Sequence, residues 1–264
     1  MSENEIIEVR KLSKTFVVRE GLYRKHPINA VDNVDFSLKK GETLALIGES
    51  GSGKSTVGRM ILRLLEPSSG NVFYRHQPVS SFHRDKMLAY RKAVQAVFQD
   101  PYSSLNPRMT VGEIIAEPIR NFRLPGDSRG RVTELLERVG LDRGYIHRYP
   151  HQCSGGQKQR VAIARALAVE PEAVILDEPL TALDITVQTQ IIALLKELQV
   201  LYGMSYLLIT HDLRVVRAMA DRVVVMYRGR VVEAANKAEF MQNPVHPHST
   251  ALLAAVPQLV VYKN

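Results

Sequence analysis

The feature that most constrains this chain is an octapeptide, Gly48-Glu49-Ser50-Gly51-Ser52-Gly53-Lys54-Ser55, set between the run Thr43-Leu44-Ala45-Leu46-Ile47 and a helical pattern from Ser55 to Leu65. It fits G-x-x-x-x-G-K-[ST] at every specified position. An unbroken apolar run of strand length predicts a strand covered on both faces, and the direct passage through a glycine-rich turn into a helix predicts a strand–loop–helix unit of a parallel sheet. The same residues predict phosphate binding. Glycines let consecutive backbone N–H groups turn inward, and the helix presents its positive end. Lys54 then neutralises the β and γ phosphates, and the Ser55 hydroxyl is placed to hold Mg²⁺. The expected phosphate-binding residues are Gly48, Ser50, Gly51, Gly53, Lys54, Ser55 and Thr56.

Ahead of this unit, Ile6 to Val9, Lys14 to Val18 and Val31 to Leu38 read as short antiparallel strands, the last two separated by a polar, basic loop with Gly21 and Pro27. Beyond it come a strand over Ala93 to Phe98, a two-proline loop over Pro101 to Met109, and helical periodicity from Val111 to Gly140. Parallel-sheet patterning then returns. Helices are expected over Ser154 to Val169, Ile185 to Tyr202 and Leu213 to Ala220, and strands over Ala173 to Leu176, Tyr206 to Ile209 and Val223 to Met226.

Two further stretches carry chemistry. Ala173-Val174-Ile175-Leu176-Asp177-Glu178 is an apolar strand ending in two carboxylates, which delivers Asp177 toward a metal at the phosphate loop and leaves Glu178 to polarise an attacking water. Ser154-Gly155-Gly156-Gln157 opens a helix, with Ser154 as its N-cap and glycines exposing backbone N–H groups: a second anion site in the same chain.

With these motifs in this order over nearly the whole chain, the sequence resembles the ATP-binding-cassette ATPases, in which the Ser-Gly-Gly-Gln signature of one subunit closes over ATP held by the phosphate loop of another. The resemblance implies an α/β fold: a RecA-like P-loop NTPase core with a parallel sheet, an antiparallel β subdomain and an α-helical signature subdomain. The expected division is residues 1–99 and 171–235 for the core with its N-terminal β subdomain, 100–170 for the helical subdomain and 236–264 for a C-terminal tail. It also implies an adenine-stacking role for Phe16, with Tyr23 as a competitor, and a lid-loop position for Gln99 beside the metal. Leu183-Asp184 falls in a dimer-contacting loop, and His211 is the switch histidine at the γ phosphate. Catalytic work is expected of Glu178, His211 and Gln99; nucleotide contacts of the phosphate loop, Phe16, Ser154, Gly155, Gly156 and Gln157; and Mg²⁺ binding of Ser55, Gln99 and Asp177.

Val97 to Arg108 and Asn243 to Leu253 look like the oligopeptide, dipeptide and nickel uptake branch. In that branch two different ATPase subunits pair beneath two transmembrane permeases, fed by an extracytoplasmic solute-binding protein. The implied reading is an ATPase subunit powering uptake of a peptide-like or metal-chelate solute, peripheral at the cytoplasmic face of the inner membrane. The pair His246 and His248 reads as part of a structural tail. Cys153 stands where Leu or Phe is usual in the signature and Thr181 where Ser is usual in the dimer loop.

Composition narrows the competitors. The longest apolar runs have strand length, far from the 18 residues of a spanning helix, and residues 1–8 lack a signal's basic and apolar regions. One cysteine among 264 residues excludes an internal disulfide and a cysteine-rich metal or iron–sulfur site. The net charge of +8 would suit a cassette ATPase acting on DNA or ribosomes, but the cationic residues are scattered, neither a coiled-coil insertion nor a second cassette is present, and no nucleic-acid partner is expected. A GTPase would need Asn-Lys-x-Asp, whereas Asn236-Lys237 is followed by Ala238-Glu239. Glu178 and His211 also argue against a module that binds ATP without hydrolysing it.

Overall fold

The computed structural model describes residues 4–20, 24–100 and 104–255. Gly21, Tyr23, Pro101, Tyr102 and Ser103, each part of a sequence expectation, lie outside them.

Strands β1 (Glu5–Glu20) and β2 (Arg24–Lys39) pair antiparallel over most of their length. The two short strands expected over 6–18 are one, because the chain passes the break by bulging instead of stopping. Register shifts cluster between Val9 and Thr15, Lys11 takes a left-handed φ of 49°, and its N–H is retained by Asp35 Oδ1 at 3.0 Å. Pro27, expected in a loop, sits within β2 opposite Val17; β2 is an edge strand, where a missing donor is tolerated. With β4 (Ser69–Tyr74) and β5 (Gln77–Pro78) they form a four-stranded antiparallel sheet.

The second sheet has six strands in the order β10-β9-β3-β8-β7-β6. These are β3 (Thr43–Ile47), β6 (Val94–Val97), β7 (Ala173–Asp177), β8 (Ser205–Thr210), β9 (Arg222–Tyr227) and β10 (Arg230–Asn236). Strands β3, β6, β7, β8 and β9 are mutually parallel, and only β10, which the sequence reading did not anticipate, runs antiparallel at the edge. The carboxyl ends of five strands therefore share one edge of the sheet. That edge is where an open α/β sheet binds its ligand.

Alternation along each strand divides the core. Leu44 and Leu46 of β3, Ile175 of β7 and Ile209 of β8 pack with the antiparallel sheet and with α1 (Lys54–Ile61). Val174, Leu176, Tyr206 and Leu208 point the other way, into a cluster shared with α3 (Val111–Asn121), α4 (Ser128–Arg138), α5 (Gly155–Leu167) and α6 (Ile185–Tyr202). A third cluster joins Ala45, Ile47, Val223 and Val225 to α7 (Leu213–Met219) and to Phe240 of α8 (Lys237–Gln242). A strand residue and its neighbour thus serve different layers.

Helix α1 ends at Ile61, short of the expected Leu65. Arg63 takes a left-handed φ of 55°, and the N–H groups of Leu64 and Arg63 return to the carbonyls of Arg59 and Met60, a Schellman stop. Helix α2 (Arg84–Ala93) was not foreseen, since of its ten residues only Tyr90 is buried.

Leu46 is fully buried in a central strand, whereas Leu64 is 65% exposed. Leu46→Ala is expected to lower unfolding stability by about 2–5 kcal/mol and Leu64→Ala by no more than about 0.5 kcal/mol, read by denaturant titration.

Candidate functional site

The shared carboxyl edge collects residues that are far apart in sequence. The phosphate loop follows β3, Gln99 lies just past β6, Asp177 and Glu178 end β7, and His211 follows β8. A cleft of about 570 Å³ is lined by Gly48 to Gly51, Gly53 to Thr56, Gln99, Glu178 and His211, together with Ala30, Leu213, Leu252 and Ala255. The last four were not expected at the site. Leu213, two residues past His211, had a local signal. Ala30 in β2 and Leu252 in the tail arrive only through tertiary packing.

The loop's shape depends on a glycine at its end. Gly53 stands at φ 103°, and a Cβ there would lie 2.3 Å from the Ala30 carbonyl oxygen. It caps α1 without any side-chain hydrogen bond, so the first N–H groups of the helix have no capping side chain and are available to an anion. Lys54 follows, buried, its Nζ donating to the carbonyls of Gly48 and Glu49 at 2.8 Å each. Burial holds its ammonium below the usual lysine range, opposed by the nearby Glu178, Asp177 and Glu49.

Ser55 Oγ donates to Asp177 Oδ1 at 2.9 Å, joining the first turn of α1 to the end of β7. Burial raises the Asp177 carboxyl above its ordinary value, the Ser55 hydrogen bond lowers it, and adjacent Glu178 raises it further. Glu178 carries a left-handed φ of 49°, a strained conformation for a side chain of its size. Its N–H bonds the Ile209 carbonyl at 2.9 Å, its Oε2 accepts from Thr181 Oγ1 at 2.8 Å, and its Oε1 lies 2.7 Å from His211 Nδ1. Thr181 supplies the hydroxyl that a serine there would offer.

Other expected residues stand elsewhere. Ser154 caps α5 in a capping box, its Oγ accepting from Gln157 N while its own N–H donates to Gln157 Oε1. A Cβ at Gly156 would lie 2.6 Å from Val187 Cγ1, so the glycine lets α5 pass close to α6, whose own cap is Asp184. Ser154, Gly155, Gly156 and Gln157 do not line the cleft of their own chain. Phe16 is 38% exposed on β1 with the Lys14 ammonium 5.4 Å from its ring centre, and it does not line the cleft either. His246 and His248 serve the tail: His246 Nδ1 accepts from the His248 N–H, and the His248 ring tilts over Tyr227 at 4.2 Å. Cys153 is buried beside the signature, its Sγ 3.6 Å from the Tyr149 carbonyl, and burial pushes its thiol up.

Residues 31–181 match the model of a family described as ABC transporter. The chain is 48% identical to the oligopeptide transport ATP-binding protein AppF of Bacillus subtilis, covering 97% of this chain and 79% of that protein. It is also 48% identical to the glutathione import ATP-binding protein GsiA of Escherichia coli, over 96% of this chain and 41% of that longer protein. Among solved structures, a dimeric post-hydrolysis ATP-binding cassette bound to ADP and Pi superposes with a TM-score of 0.77 at 31% identity, covering 88% of this chain and 98% of that one.

Gly53→Ala forces a Cβ against backbone in a conformation that L residues avoid. It should lower stability by about 2 kcal/mol or more and abolish ATP binding by calorimetry. Cys153 should react with a disulfide reagent only as fast as the chain unfolds, at neutral pH, because its thiol is both covered and hard to ionise.

Proposed function

This chain belongs to the ABC transporter family, and on that premise we propose that it powers uptake of a peptide-like or metal-chelate small solute through partner permeases. It is an ATP-hydrolysing subunit with an α/β P-loop NTPase fold. The observation that carries the reading is the division of the site: phosphate loop, Gln99 and the Glu178–His211 pair line one cleft, with Asp177 just behind it on Ser55 Oγ, while the signature helix of the same chain lies outside it. A second cassette must bring its own Ser154 to Gln157 stretch, or the equivalent, to complete the cleft.

In the proposed reaction the phosphates of ATP lie along Gly48 to Thr56, and Lys54 exchanges its carbonyl partners for phosphate oxygens. Phe16 stacks on the adenine. Ser55 Oγ and Asp177 Oδ1 are hard oxygen donors 2.9 Å apart on two rigid elements, the donor chemistry that Mg²⁺ takes. With Gln99 they would hold that ion, which would neutralise phosphate charge. His211 turns to the γ phosphate, releasing Glu178 Oε1 from its 2.7 Å contact. Glu178, with Thr181 still holding Oε2, takes a proton from water as the water oxygen bonds the γ phosphorus and the bond to ADP breaks.

The partners we propose are a second, non-identical ATPase subunit, two permeases gripped by the region around Gln99 to Asn121, and an extracytoplasmic solute-binding protein. No helix among the described residues is long and apolar enough to cross a membrane, so attachment to the cytoplasmic face would be through the permeases. A helical subdomain over 100–170 and a tail over 236–264 are part of the same proposal. AppF and GsiA are named for different solutes, an oligopeptide and glutathione, which fits a cargo read by the other components. Both are import or transport proteins, which favours this reading over a cassette acting on DNA or ribosomes.

A tagged copy drawn from gently solubilised membranes should bring two polytopic permeases and a second cassette ATPase, identified by mass spectrometry. Recovery with ribosomes or DNA and no membrane protein would remove the transport role and leave the ATPase. In the assembled complex, Glu178→Gln should keep ATP bound while turnover falls by about a hundredfold or more. Brisk hydrolysis by that variant would show that another group is the base.

A further inference from the structure

We propose that the C-terminal helix α9 (Pro247–Ala254), through Leu252 and the adjoining Ala255, forms the wall of the nucleotide cleft at its triphosphate end. The inference rests on the reading of that cleft as the ATP site and adds to it an element from the far end of the chain.

Four contacts fix the helix at the sheet's carboxyl edge. The Glu233 carboxylate of β10 accepts from the backbone N–H groups of Val245 and His246, at 2.9 Å each, and so sets where the segment turns. His246 caps the helix through Nδ1, and Pro247 occupies the first turn, where its missing N–H costs nothing. The His248 ring packs on Tyr227 at the end of β9, the strand beside β3. Leu252 and Leu253 pack against the cluster of Ala45, Ile47, Leu213 and Val216.

Those anchors decide which end of the cleft the helix walls. Ile47 runs directly into Gly48, and Leu213 follows His211 by two residues, so Leu252 packs beside the start of the phosphate loop and the histidine assigned to the γ phosphate. His248 Nδ1 stands 4.0 Å from the carboxylate of Glu49, in the loop itself. The His248 side chain is nine-tenths buried, yet its Nε2 has no hydrogen-bond partner. A buried imidazole with an unpaired nitrogen is a poor choice for stability alone. Its place is explained by what it holds, a helix laid over the phosphate loop. An apolar wall there keeps water from the terminal phosphates except where Glu178 admits it, and strengthens the pull of Lys54 on them.

The test exploits charge. Ala255 is exposed to the cleft and tolerates a larger side chain without repacking, so Ala255→Glu places a carboxylate at the wall in a folded chain; Leu252→Glu does the same from the packed position. ATP and ADP binding to the full chain would be measured by calorimetry with Mg²⁺, beside the neutral Leu252→Gln and beside Thr250→Glu, exposed on the same helix and not lining the cleft. Both cleft glutamates should weaken ATP about tenfold or more and ADP distinctly less, because ATP carries more charge at that end. Leu252→Gln should lose under about threefold, and Thr250→Glu should bind as the unsubstituted chain does. Unchanged ATP binding by both cleft glutamates, or equal losses for ATP and ADP, would overturn the inference and leave the ATP site standing. Failure of the unsubstituted chain to bind either nucleotide would take down the site reading and the wall with it.

Discussion

The structure depends on a cluster of charge taken out of water at one edge of a parallel sheet. Lys54, Asp177 and Glu178 are all buried, within reach of one another electrostatically, and burial depresses the lysine while raising the aspartic acid. Such groups cost free energy unless the surroundings are rigid and supply polar partners. Here they do. Two backbone carbonyls take Lys54, Ser55 takes Asp177, and Thr181 and His211 take both oxygens of Glu178. The fully covered strands β3, β7 and β8 make that arrangement affordable, because their packed faces hold the loops at their carboxyl ends in one geometry.

The chemistry of this cluster was legible because it is local. Octapeptide, Asp-Glu pair and His211 each follow an apolar strand directly, and parallel strands must bring such ends to one edge once their order is fixed. The signature was legible for the same reason: Ser154 and Gln157 cap each other three residues apart. What escaped was whatever owes its place to distant contacts. Helix α2 shows the core only a narrow stripe, buried Tyr90 with half-buried Met87 and Ala93, and β10 pairs by virtue of its neighbour β9. Ala30 and Leu252 reach the cleft from the two ends of the chain. The bulges of β1 escaped too, since Lys11 in a left-handed conformation next to Asp35 has no signature in a pattern of alternation.

Strain and incompleteness at the cleft belong together. Glu178 keeps a left-handed backbone, held by the Ile209 carbonyl, and both its carboxylate oxygens are engaged before any substrate arrives. In the proposed mechanism Glu178, so occupied, would be idle as a base until His211 is drawn away. The N-terminal end of α5, meanwhile, uses Gly156 for close passage beside α6 and Ser154 to cap its own helix, away from the cleft of its chain. In the proposed mechanism both features would hold back hydrolysis in a lone subunit, and both would be relieved by the same event, arrival of a γ phosphate between two cassettes.

The tail extends that logic. Helix α9 packs beside the strand that leads into the phosphate loop and beside the segment after His211, the two elements that the proposed turn of His211 would shift relative to each other. Its anchors differ in kind. The paired hydrogen bonds to the Glu233 carboxylate and the tilted rings of Tyr227 and His248 fix its start to β10 and β9, while Leu252 holds its far end by apolar packing against the cluster that includes Leu213, which can slide without breaking a directional bond. Fixed at the sheet and compliant beside His211, the helix would keep the triphosphate end walled while His211 makes its proposed turn to the γ phosphate.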